Sequence, residues 1–517
     1  MLCLKKLDEY VISIRYMAAV INQFLISEIK TFLKIHRTWF LITDLLEFLS
    51  LYDKKSFRKK VSDILIGHGL AYVIPADENG FEMWIGRGAF FSGKIFPVQI
   101  SDLEKEDGIF IPGSRFLPFL KPDNYSQDIK IFYRGKEVTK KNVFLPFERI
   151  SNFYFLYTEN DISHILCDSD EENKAILARF DEGFEPNANF KFNVWDFSEI
   201  YLNRGFSERL TFFIKILNWE KGEFEIVDGI YPDISNTKIE FWFDIFENAV
   251  KNSMNILHIN SPTQEILAFA YFMCGDIIFD LNAAPMELFF EKRNIFAVVP
   301  YGIEEKFWIV GEPIPIPREW FEYPNNSFSK NEMFFKKIKM PITDTVIKGL
   351  ILSFLSENYI QRSDESLKEK FLNETSEMLI PEYISNREIN LEKCKYILSE
   401  NYGYYSITYN PFTDSVFREV RSSLVYLYKK LLVFLNELRS QNTEPADFKN
   451  QSAVIIHQIM SKLLQSFEFL FTMNEDEYGY IDVMSISLEN LSYVYTDTKV
   501  DIINTLTALK KNSGITG

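Results

Sequence analysis

Between Gly311 and Ser329 the chain reads GEPIPIPREWFEYPNNSFS, with Pro313, Pro315, Pro317 and Pro324. Each proline lacks a backbone N–H and holds φ near one value, so neither a helix nor a central strand continues through such a stretch. Alternating prolines favour an extended connection instead. Patterning changes across it, from short strands and mixed segments to long amphipathic helical runs beyond Pro341. The stretch is therefore expected to divide two folding units. Length demands division as well: 517 residues exceed one core and predict about three to four domains. The apolar supply is adequate, at 47% hydrophobic residues against 25% charged. Phe (49) and Tyr (26) are abundant but fall inside periodic apolar segments, which assigns them to cores rather than to an exposed cluster.

The N-terminal part reads as helical, with LISEIKTFLKIH and WFLITDLLEFLSLY carrying apolar residues at helical spacing. A basic amphipathic segment follows, DKKSFRKKVSDILIGHG, which places Phe57, Val61, Ile64 and Leu65 on one face and ends at Gly67 and Gly69. LAYVIP, the turn ADENG and FEMWIGR then read as a two-stranded hairpin. This order of elements resembles the winged-helix class of helix-turn-helix domains over roughly residues 20 to 95. In that class the helix before the wing enters the DNA major groove. The resemblance implies that Lys54, Lys55, Arg58, Lys59 and Lys60 meet phosphates or base edges, and that Ser56 caps the segment or touches phosphate. Asp77, Glu78 and Glu82 in the hairpin would repel a phosphate backbone. A winged helix that docks protein is the alternative.

From Gly108 to Pro232 short strands alternate with turn residues. The clearest pair is RLTFFIKILNW and EFEIV, and Leu210, Phe212, Ile214 and Ile216 alternate onto one face of a half-buried strand. Small barrel or sandwich modules are expected there. KIEFWFDIFENAVKNSMNIL predicts a helix with Trp242, Phe246, Ala249 and Val250 inward. SPTQEILAFAYF predicts another, capped by Ser261, with Pro262 at the first helical position and Gln264 completing a capping box. NIFAVVP and KFWIVG read as a hairpin. The expected fold is thus α+β multidomain: a winged-helix-like domain over 1–95, β-rich barrel or sandwich modules over 96–235, a mixed α/β segment ending in the proline-rich linker over 236–325, and an all-helical domain over 326–517.

A net charge of −17 argues against a general nucleic-acid or anionic-membrane surface. The charge is uneven, however. Residues 1–90 hold 12 Lys and Arg against 10 Asp and Glu, and the remainder 44 against 63. A basic partner site therefore belongs near the N-terminus. Cys3, Cys167, Cys274 and Cys394 lie far apart, without metal-ligand spacing, which fits a reducing compartment. The apolar run YVISIRYMAAVINQFLI is broken by Arg15 and lacks both a basic leader and a small-residue cleavage site. ILAFAYFMC is about half the length that a bilayer requires. The chain is expected to be soluble and cytoplasmic, with no membrane partner.

Several stretches imitate chemical motifs. GRGAFFSGK, from Gly86 to Lys94, nearly spells a phosphate-cradling loop, but Ile95 follows the lysine where a magnesium-binding hydroxyl is needed. IFPVQI then reads as a strand, so no helix N-terminus faces a phosphate. The stretch is expected to end the second hairpin strand and lead out of the domain. His164 and Cys167, followed by Asp168 and Asp170, lack a second ligand pair. NEDEYGYIDVMS sets Asn474, Asp476, Gly479, Ile481 and Asp482 in calcium-loop register but fails at Tyr478 and Ser485. Ser114 in IPGSRF lacks the glycine of a nucleophile elbow, and His457 lies in an apolar helical run. No cofactor, metal or catalytic residue is expected. The expected function is a non-enzymatic regulatory or adaptor role, with double-stranded DNA contacted through the basic helix. The alternatives are a protein-interaction scaffold and an enzyme of unrecognised type.

Overall fold

A computed structural model describes residues 24–512, apart from 75–81, 122–127, 181–187, 205–210, 228–235, 258–260, 280–282, 325–327, 360–363, 449–450 and 474–476. The hairpin turn that carries Asp77 and Glu78, and the first three residues of the calcium-like stretch (474–476), lie outside the described residues. The chain is mixed α and β, with a helical C-terminal region, and forms two compact units. One comprises 1–299 with 306–312, the other 300–305 with 313–517. The boundaries expected near residues 95 and 235 fall inside the first unit.

The first unit begins with helix α1 (24–35), strand β1 (Phe40–Leu41) and helix α2 (Ile42–Phe48). Helix α3 (Lys55–Gly67) and strands β2 (Ala71–Ile74) and β3 (Met83–Gly86) follow. The strands make a three-stranded antiparallel sheet in the order β1-β3-β2, with Phe40 opposite Trp84 and Tyr72 opposite Ile85. Apolar spacing explains the packing: Ile29, Phe32, Leu45, Val61 and Leu65 meet Trp84 in a small core. α3 stops where Gly69 takes φ +55°, a conformation that costs a glycine little. A Cβ at Gly69 would also lie 3.3 Å from the Arg87 guanidinium.

One helical turn, α4 (Arg87–Phe91), separates β3 from β4 (Ile95–Gln99). Next come α5 (Asp102–Asp107), β5 (Ile109–Phe110), β6 (Lys130–Tyr133), β7 (Lys136–Glu137) and β8 (Lys140–Pro146). Helices α6 (Phe147–Phe153), α7 (Glu159–Ser169) and α8 (Glu172–Phe180) lead to β9 (Asn189–Asp196) and α9 (Ser198–Arg204). Strands β10 (Thr211–Asn218) and β11 (Glu223–Val227) precede helices α10 (Asn236–Ile256), α11 (Thr263–Cys274) and α12 (Met286–Arg293). The expected hairpin is present as β12 (Phe296–Tyr301) and β13 (Glu304–Ile309).

Two open sheets result, β4-β10-β11-β6-β7 and β5-β9-β8, and no closed barrel occurs among the described residues. The ends of the larger sheet explain why it stays open. Pro97 cannot donate to a further strand, so β4 serves as an edge, pairing only with β10. At the other edge β7 is two exposed residues long. In β10, Phe212, Ile214 and Ile216 are sealed on one face, while on the other Phe213 is buried, Thr211 and Lys215 are half-buried and Leu217 is exposed. That is the alternation expected of a half-buried strand, with Phe213 the exception; Leu210 lies outside the described residues. α11 starts one residue later than expected: Pro262 is its cap, and Gln264 donates instead to the Leu120 carbonyl at 2.6 Å.

The second unit is helical: α13 (Lys330–Lys337), α14 (Asp344–Glu357), α15 (Glu365–Leu379), α16 (Arg387–Thr408), α17 (Pro411–Asp414), α18 (Arg418–Ser440), α19 (Gln451–Thr472) and α20 (Tyr480–Asn512). Gly349 in α14 lets α19 approach, because a Cβ there would meet the Phe467 ring at 2.5 Å. Trp320, within the proline-rich stretch, is fully buried in this unit's core and donates to the Thr443 carbonyl at 3.2 Å. Arg421 is buried on α18, where it pairs with Asp414 and donates to Ser353 Oγ at 3.3 Å. No helix among the described residues is long and apolar enough to cross a membrane.

Candidate functional site

The basic residues cluster on the first two turns of α3. Lys54 is its N-cap, and no side chain caps the helix start. Lys55 and Lys59 lie one turn apart, as do Ser56 and Lys60, and all of them are exposed. Val61 and Leu65 occupy the opposite, buried face, with Phe57 and Ile64 packed beside them. Amphipathicity thus aims the cations at solvent. Arg58 is the engaged member, its Nε and Nη2 donating to Asp53 Oδ1 and Oδ2 at 2.5 and 2.6 Å. Asp53 is held below the usual carboxylate range chiefly by that hydrogen bond. Lys54 lies 5.9 Å from the exposed Tyr52 ring. Farther along the exposed face stand Asp63 and Ile66, so the basic patch ends after Lys60.

Positive charge at an uncapped helix N-terminus is unfavourable. The first N–H groups lack partners within the helix, and their dipoles already carry partial positive charge. Lys54, Lys55 and Lys59 add to it, and the Lys55–Lys59 spacing brings two like charges together. An anion placed there would relieve both.

GRGAFFSGK ends the second hairpin strand and leads out of the three-stranded sheet, as expected, with a helical turn added on the way. After β3 ends at Gly86, Arg87–Phe91 form α4, and Ser92–Gly93 turn the chain into β4. Lys94 is followed by a strand rather than a helix. The stretch also remains inside the unit. Arg87 forms a bidentate pair with Glu265 of α11, one of its two hydrogen bonds measuring 2.6 Å, and lies 4.6 Å from the Tyr72 ring. Tyr72 stacks on Phe272 at 4.4 Å. Beside these residues lies a cavity of about 870 Å³, lined by residues of the N-terminal sheet, the α4–β4 turn, α10 and α11.

A second polar centre is internal. Glu104, fully buried, accepts from Arg115 at 2.6 Å and from the Ile111 amide at 3.0 Å. Glu287 is half-buried as a residue, but its Oε2 is sealed from solvent and has no partner, while Oε1 accepts from the Gln99 amide. Burial raises this carboxyl to about 7, against the opposing pull of Arg115. The spacing of Ser101 and Glu104 marks a helix cap in the sequence, and that cap forms. Nothing local signals that Glu104 also takes the Arg115 ion pair.

The remaining motif residues hold structural positions. Ser114 accepts from the Leu156 amide at 2.9 Å. His164 lies 3.8 Å from Asp168 on the exposed side of α7, and Asp170 pairs with Lys191 at 2.5 Å. His457 Nδ1 is 2.7 Å from the Glu319 carbonyl, and burial pushes its pKa down. Among the described residues no group of three His, Cys, Asp or Glu side chains is arranged to hold a metal. No family model, curated protein or solved structure matches the chain.

Proposed function

We propose that the protein is a non-enzymatic regulatory or adaptor protein that contacts double-stranded DNA through α3, within a winged-helix-like module made of α1–α3 and the β1-β3-β2 sheet. One observation carries the reading: Lys54, Lys55, Arg58, Lys59 and Lys60 are all exposed on the start of a single helix, in a chain of net charge −17. An exposed cation cluster costs helix stability there, and phosphate is the partner that offsets the cost. Ser56, exposed on the same face, supplies a hydroxyl for a phosphate oxygen.

Binding of the full chain to duplex DNA should weaken steeply with salt, because each neutralised phosphate releases condensed counterions. Replacing Arg58, Lys59 and Lys60 together by Ala should weaken binding and flatten the log–log salt slope by about one unit for each phosphate no longer neutralised. Equal binding by the triple variant, or no binding at low salt, rejects the reading.

A second reading is a protein-docking surface, favoured by Phe48, Tyr52 and Ile66, which are exposed on α2, its following loop and α3. Tyr52→Ser would then abolish association with a partner protein while the three cations proved dispensable.

A further inference from the structure

We infer that the cavity beside α4 is a binding site for a small amphipathic anion, an aliphatic monocarboxylate whose head group pairs with Lys94. The inference is independent of the DNA reading. At about 870 Å³ the cavity falls within the size range of small-molecule sites. Trp39, Val73, Ile85, Phe90, Phe269 and Phe272 give it an apolar wall. The charged residues of its lining are Lys94 and Asp276, which pair with each other.

The two members of that pair are unequal. The Lys94 side chain is only 26% exposed, and its Nζ lies 5.6 Å from the Phe90 ring centroid and 5.7 Å from that of Phe279. Asp276 is 86% exposed. The cation is fixed in the aromatic wall, whereas its partner stands in water and contributes little by staying. A carboxylate attached to an alkyl chain exchanges with Asp276 without giving up charge pairing, and its chain removes apolar wall from water. A cationic head would bring like charge against Lys94. A neutral hydroxyl would leave the ion pair intact and gain only the burial of its alkyl chain.

The test uses the full chain with dodecanoate and dodecyltrimethylammonium below their micellar concentrations and dodecanol below its solubility limit, in thermal unfolding and titration calorimetry. Dodecanoate should bind saturably and raise Tm, since a ligand selective for the folded state stabilises it. Dodecanol should bind more weakly, and dodecyltrimethylammonium weakest of the three. Lys94→Met should weaken dodecanoate by at least about ten-fold, as expected when one charge-assisted hydrogen bond is removed. Asp276→Asn removes the internal competitor and should tighten it. This exposed substitution, together with the head-group series on the unaltered protein, keeps the inference testable if Lys94→Met fails to fold. Absence of saturable dodecanoate binding, equal binding of the cationic analogue, or unchanged or weaker affinity in Asp276→Asn would overturn it.

Discussion

Glu287 is a carboxyl that folding places beside Arg115 but leaves with a sealed, unpartnered Oε2. Burial wins over the nearby guanidinium and lifts its pKa from 4.5 to about 7. The folded state then holds a proton that the unfolded state has already released between those values. Stability contributed by protonated Glu287 is full below pH 4.5, declines as pH rises, and is gone above about 7. Glu287→Gln keeps an acceptor for the Gln99 amide and cannot titrate. The stability of the native protein relative to this variant should fall by about 1–3 kcal/mol between pH 4.5 and 7. Urea unfolding of both across that range checks it, and a pH-independent difference would mean that Glu287 titrates like an exposed carboxylate. The positions of Glu104, Arg115 and Glu287 were not legible in the sequence. Glu287 is 188 residues from Gln99, and an acidic chain offers too many carboxylates to single one out.

At the scale of one element, α3 follows its local pattern everywhere but at its start. Its amphipathic face and its end at Gly67 follow from local spacing, and both form. Its start departs from what stability alone would select, since Lys54 occupies a cap position that favours Asp, Ser or Thr. Lys54→Asp should supply the missing acceptor for the first-turn amides and reverse an unfavourable charge. A gain of about 1 kcal/mol in urea unfolding is expected. On the proposed DNA-contacting role, the same substitution should weaken that binding and lower its salt slope. A variant that gains stability and loses binding identifies Lys54 as a residue held for recognition. No gain in stability would show that the helix start carries no electrostatic cost.

The whole molecule contains two compact units with separate large cores. Each buries enough apolar surface for cooperative unfolding of its own, so calorimetry should resolve two transitions rather than one. Trp320 provides the assignment. Although it follows three alternating prolines, it is sealed in the helical core beside Phe448. Trp320→Ala should destabilise that unit by about 3–5 kcal/mol and lower one transition while leaving the other in place. Displacement of both transitions together would show that the units melt as one.

The sequence determined the elements and the principal break. Periodicity of 3.6 or 2, caps, glycines and prolines act within a few residues, so α3, β10, β11, α10 and the helical C-terminal region could be read from local pattern. The proline run likewise marks the change of unit at Glu312–Pro313. Tertiary structure decided which strands meet, whether a sheet closes and where a cavity lies. Pro97 could be read as an edge residue, but the parallel pairing of β11 with β6 could not. Arg87 and Glu265 are 178 residues apart, and Lys94 and Asp276 are 182 apart. Hydrophobic burial is non-directional: it commits apolar residues to an interior without specifying their neighbours. Shape complementarity among distant segments makes that choice, which is why GRGAFFSGK resembles a phosphate loop in the sequence and lines an apolar cavity in the folded chain.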